Sequence, residues 1–114
     1  MGVQVIPGGS VAMRHRGGPP GKARVGRAVS TEMSSSMGAG FAEFDGTAVE
    51  WTLLYDEVIY VISGELVITS EGQDHVAREG DVVWIPEGTS LIYGGTSARV
   101  FYAVQPGNWA DRQT

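Results

Sequence analysis

The groups in this chain that could move protons are carboxyls and phenols. There is no cysteine, so thiolate chemistry, disulfides and Cys-ligated zinc or iron–sulfur sites are excluded. The two histidines, His15 and His75, lie far apart and read as solvated surface residues rather than ligands. A carboxyl enclosed by apolar side chains is more promising. Burial disfavours its charged form and can raise its pKa by up to about three to five units, into the range that general acid–base catalysis uses. Glu57, in the run WTLLYDEVIY from Trp51 to Tyr60, is the candidate acid/base. Tyr55 and Tyr93 are the candidate hydrogen-bond donors beside it, with Tyr102 a further helper. Tyr93 follows Leu91 by two residues and shares its face if the strand is regular. Glu43 shares a strand face with Phe41 and is expected to approach Glu57, giving a carboxyl pair whose repulsion raises one pKa further. A phenol that donates to a carbonyl oxygen while a carboxyl moves the proton suits isomerisation, dehydration, cyclisation or β-elimination.

The elements that must position these groups are strands. Glycine recurs at Gly64, Gly72, Gly80 and Gly88, and short runs rich in Val, Ile, Tyr and Thr lie between: 58–63, 65–70, 74–78, 82–85 and 90–93. Such runs with turn signals every eight to twelve residues indicate a sandwich or barrel. Glu71-Gly72 and Glu79-Gly80 suit turns that need positive φ, and Pro86-Glu87-Gly88 suits a turn with proline at its second position. A further strand is expected over 100–104, closed by Pro106-Gly107. Upstream, 24–30 and 40–44 read as strands, 3–6 as an edge strand and 16–22 as loop. No segment carries a helical apolar period. At 114 residues the chain has the size of one domain, all-β throughout, and no apolar run approaches a membrane span. The N-terminus lacks the features of a secretory signal, so a cytoplasmic location is expected.

Two motifs narrow the architecture. Glu57 is followed by six residues and then Gly64; Gly80 is followed by five residues, Pro86, one residue and Gly88. With WTLLYDEVIYVISGEL and GDVVWIPEGTSL on successive hairpins, the chain resembles the cupin superfamily. This implies a cupin-type antiparallel β-barrel (jelly roll) as one domain over 1–114, with an N-terminal arm at 1–30 and the barrel proper at about 31–109. The run from Phe41 to Trp109, with WTLLYDE, GDVVWIPEGTS and the ending PGNW, resembles the cupin domain of the ethanolamine-utilisation EutQ family. Members of that family carry a further N-terminal region, and on this likeness the chain is expected to be a free-standing form.

The resemblance also locates a pocket. The metal-binding histidines of a cupin would fall at Trp51 and Leu53 (or, in the longer spacing, at Glu50 and Thr52) and at Leu91; indole and isobutyl groups offer no lone pair suited to a divalent cation. His15 and His75 lie outside both motifs. No metal and no other cofactor is therefore expected. Barrel side chains alternate in and out, so Trp51, Leu53 and Leu91 are expected to line an apolar cup with Glu57 at its base. The expected catalytic set is Glu57, Tyr55 and Tyr93; the expected substrate contacts are Phe41, Glu43, Trp51, Leu53, Trp84, Leu91 and Tyr102. Trp84, inside Val82-Val83-Trp84-Ile85, reads first as core.

The leading expectation is a metal-independent enzyme acting on a small, largely apolar or carbonyl-bearing metabolite. The family likeness implies acetate kinase activity as an alternative, although no phosphate loop, Gly-rich cradle or magnesium carboxylate pair is visible. A further alternative is a non-catalytic ligand-binding or structural cupin, with Glu57 held by a backbone amide or Arg99 and the barrel packed solid. Net charge is −5, yet Arg14, Arg16, Lys22, Arg24 and Arg27 all precede the first acid, Glu32. This arm is expected to wrap its own acidic barrel or a partner's. The other reading, phosphate or nucleic-acid binding, is less favoured, because five cations without interleaved aromatics make a thin nucleic-acid footprint. The expected partners are a small-molecule ligand and a second copy in a homodimer, with no nucleic acid and no membrane.

Overall fold

A computed structural model describes residues 2–112. Eight strands make up more than half of it: β1 (Arg14–Gly17), β2 (Lys22–Val29), β3 (Gly38–Asp45), β4 (Ala48–Thr52), β5 (Asp56–Ser70), β6 (Gln73–Arg78), β7 (Val82–Ile85) and β8 (Ser90–Gln105). Every pairing is antiparallel, in the order β1-β2-β3-β8-β5-β6, with β4 on β8 and β7 on β5. Short 3-10 turns at Gly8–Ser10 and Trp109–Arg112 flank the sheet. Among the described residues no helix is long and apolar enough to cross a membrane.

The strands expected at 58–63 and 65–70 are one element, β5, bent where its register with β8 shifts between Ser63 and Glu65. Those expected at 90–93 and 100–104 are likewise one strand, β8. These two long strands pair with each other along most of their length, at the centre of the sheet order. The four evenly spaced glycines all have positive φ, at 75, 73, 89 and 91° for Gly64, Gly72, Gly80 and Gly88. Upstream the expectation needs two corrections. Residues 3–6 form no strand, and Val3 and Val5 are 99% and 85% exposed. Conversely, Arg16 and Gly17 are not loop but the end of β1, so the arm before residue 31 contributes two strands to the sheet.

Period-two alternation decides what points inward. Ala42 and Phe44 of β3, Glu57, Ile59 and Val61 of β5, Ile85 of β7, and Ala98, Val100 and Val104 of β8 are buried, together with Leu53 and Leu66. The intervening residues Val58, Tyr60, Val82, Trp84 and Phe101 project from the outer face, 37% to 64% exposed. Cross-strand neighbours Trp84–Val58 and Val82–Tyr60–Phe101–Phe41 form an apolar strip there.

Trp84 is therefore neither core nor pocket. Its neighbours Val83 and Ile85 point inward, and alternation turns the indole out. We expect Trp84→Ser to change unfolding free energy by less than about 1 kcal/mol, against the 3–5 kcal/mol of a truly buried tryptophan. Urea denaturation measures the difference.

Candidate active site

β5, β8, β3 and β4 present their inner faces to a cavity of about 700 Å³. The deep end is built by three polar side chains in an otherwise apolar shell. Glu57, 6% exposed, pairs in the sheet with Val104 of β8 and Ile85 of β7. Its Oε1 accepts a hydrogen bond of 2.6 Å from the Tyr93 hydroxyl. Tyr93 is fixed in turn by stacking on Phe44, with ring centroids 5.4 Å apart and planes 9° from parallel. Tyr55 is also buried, and its hydroxyl accepts the Trp51 Nε1–H at 3.0 Å. That acceptance leaves the Tyr55 O–H available as a donor, in hydrogen-bond reach of Tyr93 as well as of the cavity. Trp109, from the C-terminal turn, closes the wall: its ring meets Trp51 edge-on at 5.8 Å and Tyr55 at 5.2 Å. Tyr102 completes the lining. It is inward-facing because it alternates with the outer Phe101, and it has room because Gly40 opposes it; a Cβ at Gly40 would meet the Tyr102 hydroxyl and the Gly26 carbonyl.

Burial governs the electrostatics. Removing Glu57 from water pushes its pKa from 4.5 up to about 7, and the Tyr93 hydrogen bond offsets only part of that rise. The Tyr55 phenol is pushed up to about 12 by burial and by the nearby Glu57 charge. Tyr93 and Tyr102 are raised too, first by burial, so all three phenols stay protonated and able to donate near neutral pH. Among the described residues Glu57 is the one carboxyl lining this cavity, and its raised pKa lies near neutral pH.

Five of the expected site residues thus meet: Glu57, Tyr55, Tyr93, Trp51 and Tyr102. Five do not. Glu43 and Phe41 alternate with the buried Ala42 and Phe44 and so face outward. Glu43 accepts from Arg24 at 2.6 Å and from Arg99 at 2.8 Å. The Arg24 hydrogen bond leads in lowering its pKa, the opposite of the shift a carboxyl pair would give. Phe41 packs edge-on against Phe101, beneath the Arg99 guanidinium. Leu53 and Leu91, 1% and 5% exposed, are packed core and do not border the cavity. Trp84 is on the outside, as described above. The sequence reading also missed residues. Arg14, His15, Arg16 and Arg27 border the exposed end of the cavity, and Trp109 walls it. A signal existed for Arg27: it shares β2 period with Ala23 and Val25, whose side chains turn inward.

The relationships of the chain agree with this geometry. The family model "Ethanolamine utilisation protein EutQ" matches residues 1–111. The chain belongs to the EutQ family. It is 42% identical over 110 residues to a protein named acetate kinase EutQ from Salmonella typhimurium, covering 95% of this chain and 48% of that one. The chain thus spans about half the length of the curated relatives it matches. The crystal structure of an ethanolamine utilization protein Q from Salmonella typhimurium superposes with a TM-score of 0.84 at 40% identity, over 93% of this chain and 88% of that one. An RmlC-like cupin of double-stranded β-helix fold from Methanocaldococcus jannaschii, 17% identical, superposes with a TM-score of 0.66 over 79% and 84%. The fold is that of a cupin. The family match reaches through the basic arm, upstream of the motif-bearing run from Phe41 to Trp109.

Many cupins hold a transition metal among histidines at this point of the barrel. Here the donor set does not fit one. Where the histidines would stand are an indole and two buried isobutyl groups, and Glu57 Oε1 is already engaged by a phenol. Among the described residues no three His, Cys, Asp or Glu side chains come together.

Proposed function

We propose that this EutQ-family cupin catalyses proton transfer on a small carbonyl-bearing molecule, with Glu57 as acid/base and Tyr55 as donor to the carbonyl oxygen. The observation that carries this reading is a buried carboxyl, hydrogen-bonded by Tyr93 at the deep end of the cavity among aromatic and aliphatic side chains, whose pKa burial pushes up to about 7. In the ionised form Glu57 accepts a proton from the carbon beside the carbonyl, and the electron pair moves onto an oxygen that the Tyr55 O–H stabilises. In the protonated form it returns a proton to carbon or to a leaving oxygen. The same two transfers serve isomerisation, dehydration, cyclisation or elimination. Tyr93 is a positioning residue: it holds the carboxyl in one orientation and limits how far burial raises its pKa.

Deuterium exchange at carbon tests the assignment without a known product. A panel of 2-oxo and 3-oxo acids and methyl ketones, incubated with the protein in D2O and followed by proton NMR, is expected to yield at least one compound that exchanges. The exchange rate should rise with pH and level off above about 7, as Glu57 ionises. Glu57→Gln should abolish it while ligand affinity stays within a few-fold. Tyr93→Phe should move the midpoint upward, because the lost hydrogen bond favoured the charged form. Exchange that survives Glu57→Gln removes the proposal.

A second reading has its own support. The relatives at 41% and 42% identity are named acetate kinase EutQ, and the arginines at the cavity's exposed end suit phosphate oxygens. It predicts ATP- and magnesium-dependent phosphate transfer to acetate by this chain, lost in Arg16→Gln.

A further inference from the structure

Six of the eight cations of this chain fall into two groups. Arg24 and Arg99 both clasp Glu43, and Arg78 lies 3.3 Å from Glu65, so these three have carboxylate partners on the outer surface. Arg14, Arg16 and Arg27 border the cavity instead and make no ion pair among the described residues. Like charges gathered at one opening repel each other, and no ion pair among the described residues offsets that repulsion. Arg16 is nonetheless held in place: its guanidinium lies over the Trp51 ring, 5.4 Å from the centroid. Arg27 is directed there by strand period, on the inner face of β2. Between these guanidiniums and Glu57 the walls are aromatic, chiefly Trp51, Trp109 and Tyr55.

We infer that the cavity binds an amphiphilic organic anion, its carboxylate or phosphate group held by Arg16 and Arg27 and its apolar body lying along the Trp51 and Trp109 indoles. This names the substrate class for the proton-transfer reading and rests on it for the role of Glu57, although the binding claim stands separately. A cavity of about 700 Å³ is in the range that encloses a drug-sized molecule. An acetate-sized anion would leave most of it unfilled and could not touch the guanidiniums and the deep phenols together. Guanidinium forks match both carboxylate and phosphate oxygens, so the headgroup is defined by charge and geometry rather than by element.

Calorimetry and proton–nitrogen NMR with four probes test this: trans-cinnamate, phenyl phosphate, neutral cinnamamide and acetate. Cinnamate, phenyl phosphate or both are expected to bind at least tenfold more tightly than cinnamamide and than acetate, and whichever binds more tightly identifies the headgroup. Binding should shift the indole N–H signals of Trp51 and Trp109 and leave that of the outward Trp84 unmoved. The double variant Arg16→Gln/Arg27→Gln should lower affinity for the anions to that of the amide. Arg78→Gln, whose partner is Glu65, should leave it unchanged. Equal binding of amide and anion overturns the inference, as does acetate binding as tightly as cinnamate. So does anion affinity that survives the double variant, or a shift confined to Trp84. Glu57→Gln separates this claim from the catalytic one. If exchange chemistry is never found but anions still bind the Glu57→Gln protein through the arginines, the acid–base reading fails and this one holds.

Discussion

Glu57→Gln is expected to melt at a higher temperature than the parent protein at pH 8, with a much smaller difference at pH 5. The native pKa of Glu57 is about 7 against an ordinary value of 4.5, so between these pH values the folded chain keeps a proton that the unfolded chain has released. Stability contributed by that proton is fully present below about pH 4.5, falls as pH rises, and is lost above about pH 7. A shift of this size corresponds to about 3 kcal/mol of native-state penalty once the carboxyl is ionised. Glutamine keeps an oxygen to accept from Tyr93 and has no charge to bury. The gain at pH 8 relative to pH 5 should be on the order of 10 °C in Tm for a domain of this size. Differential scanning calorimetry of both proteins at the two pH values measures it, and a gap independent of pH would show that Glu57 ionises as freely as a surface residue. The same experiment bears on function, because a group that destabilises the fold when charged is held in the cavity at a cost in stability.

The second large effect concerns backbone. Gly64 has φ of 75°, and a Cβ built on it would run into the carbonyl group of Ser97. It lies where β5 changes register with β8, so the chain cannot shift there without disturbing the longest pairing in the barrel. Gly64→Ala should lower unfolding free energy on the order of 3 kcal/mol or more, from left-handed strain and the clash together. Gly72 is the control. Its φ is 73°, yet nothing lies within 4 Å of a Cβ there, so Gly72→Ala should cost only the conformational strain of about 1–2 kcal/mol. Chemical denaturation of the two variants separates the terms. Equal losses would show that the Ser97 contact does not constrain the bend.

The family and the barrel were legible because both rest on short-range signals. Glycine at each positive-φ turn, β-branched runs between, and the paired motifs around Glu57–Gly64 and Gly80–Gly88 are local requirements of hairpins. The deep polar cluster was legible for a related reason. Alternation along β5 and β8 places Glu57 with Ile59 and Val61, and Tyr93 with Leu91, on the inner face. The errors arose where alternation was known but its phase was not. Phe41 and Glu43 share a face, as expected, but the adjacent Ala42 and Phe44 hold the inner one. A one-residue difference in phase exchanges core for surface, and short runs such as Val82–Ile85 do not fix it.

By itself the sequence determined the all-β cupin fold, EutQ-family membership, the absence of thiol chemistry, and the pairing of a carboxyl with phenols. The tertiary structure decided how deep each group lies, and therefore its charge state. It turned Glu43 out to two arginines, drove Leu53 and Leu91 into the core, and brought the arm's Arg16 and Arg27 beside the distant Trp51 and Tyr102. The physical reason is that pKa, cavity and charge pairing depend on contacts between residues far apart in the chain. Such contacts are set by how the strands register and close, which no local pattern encodes.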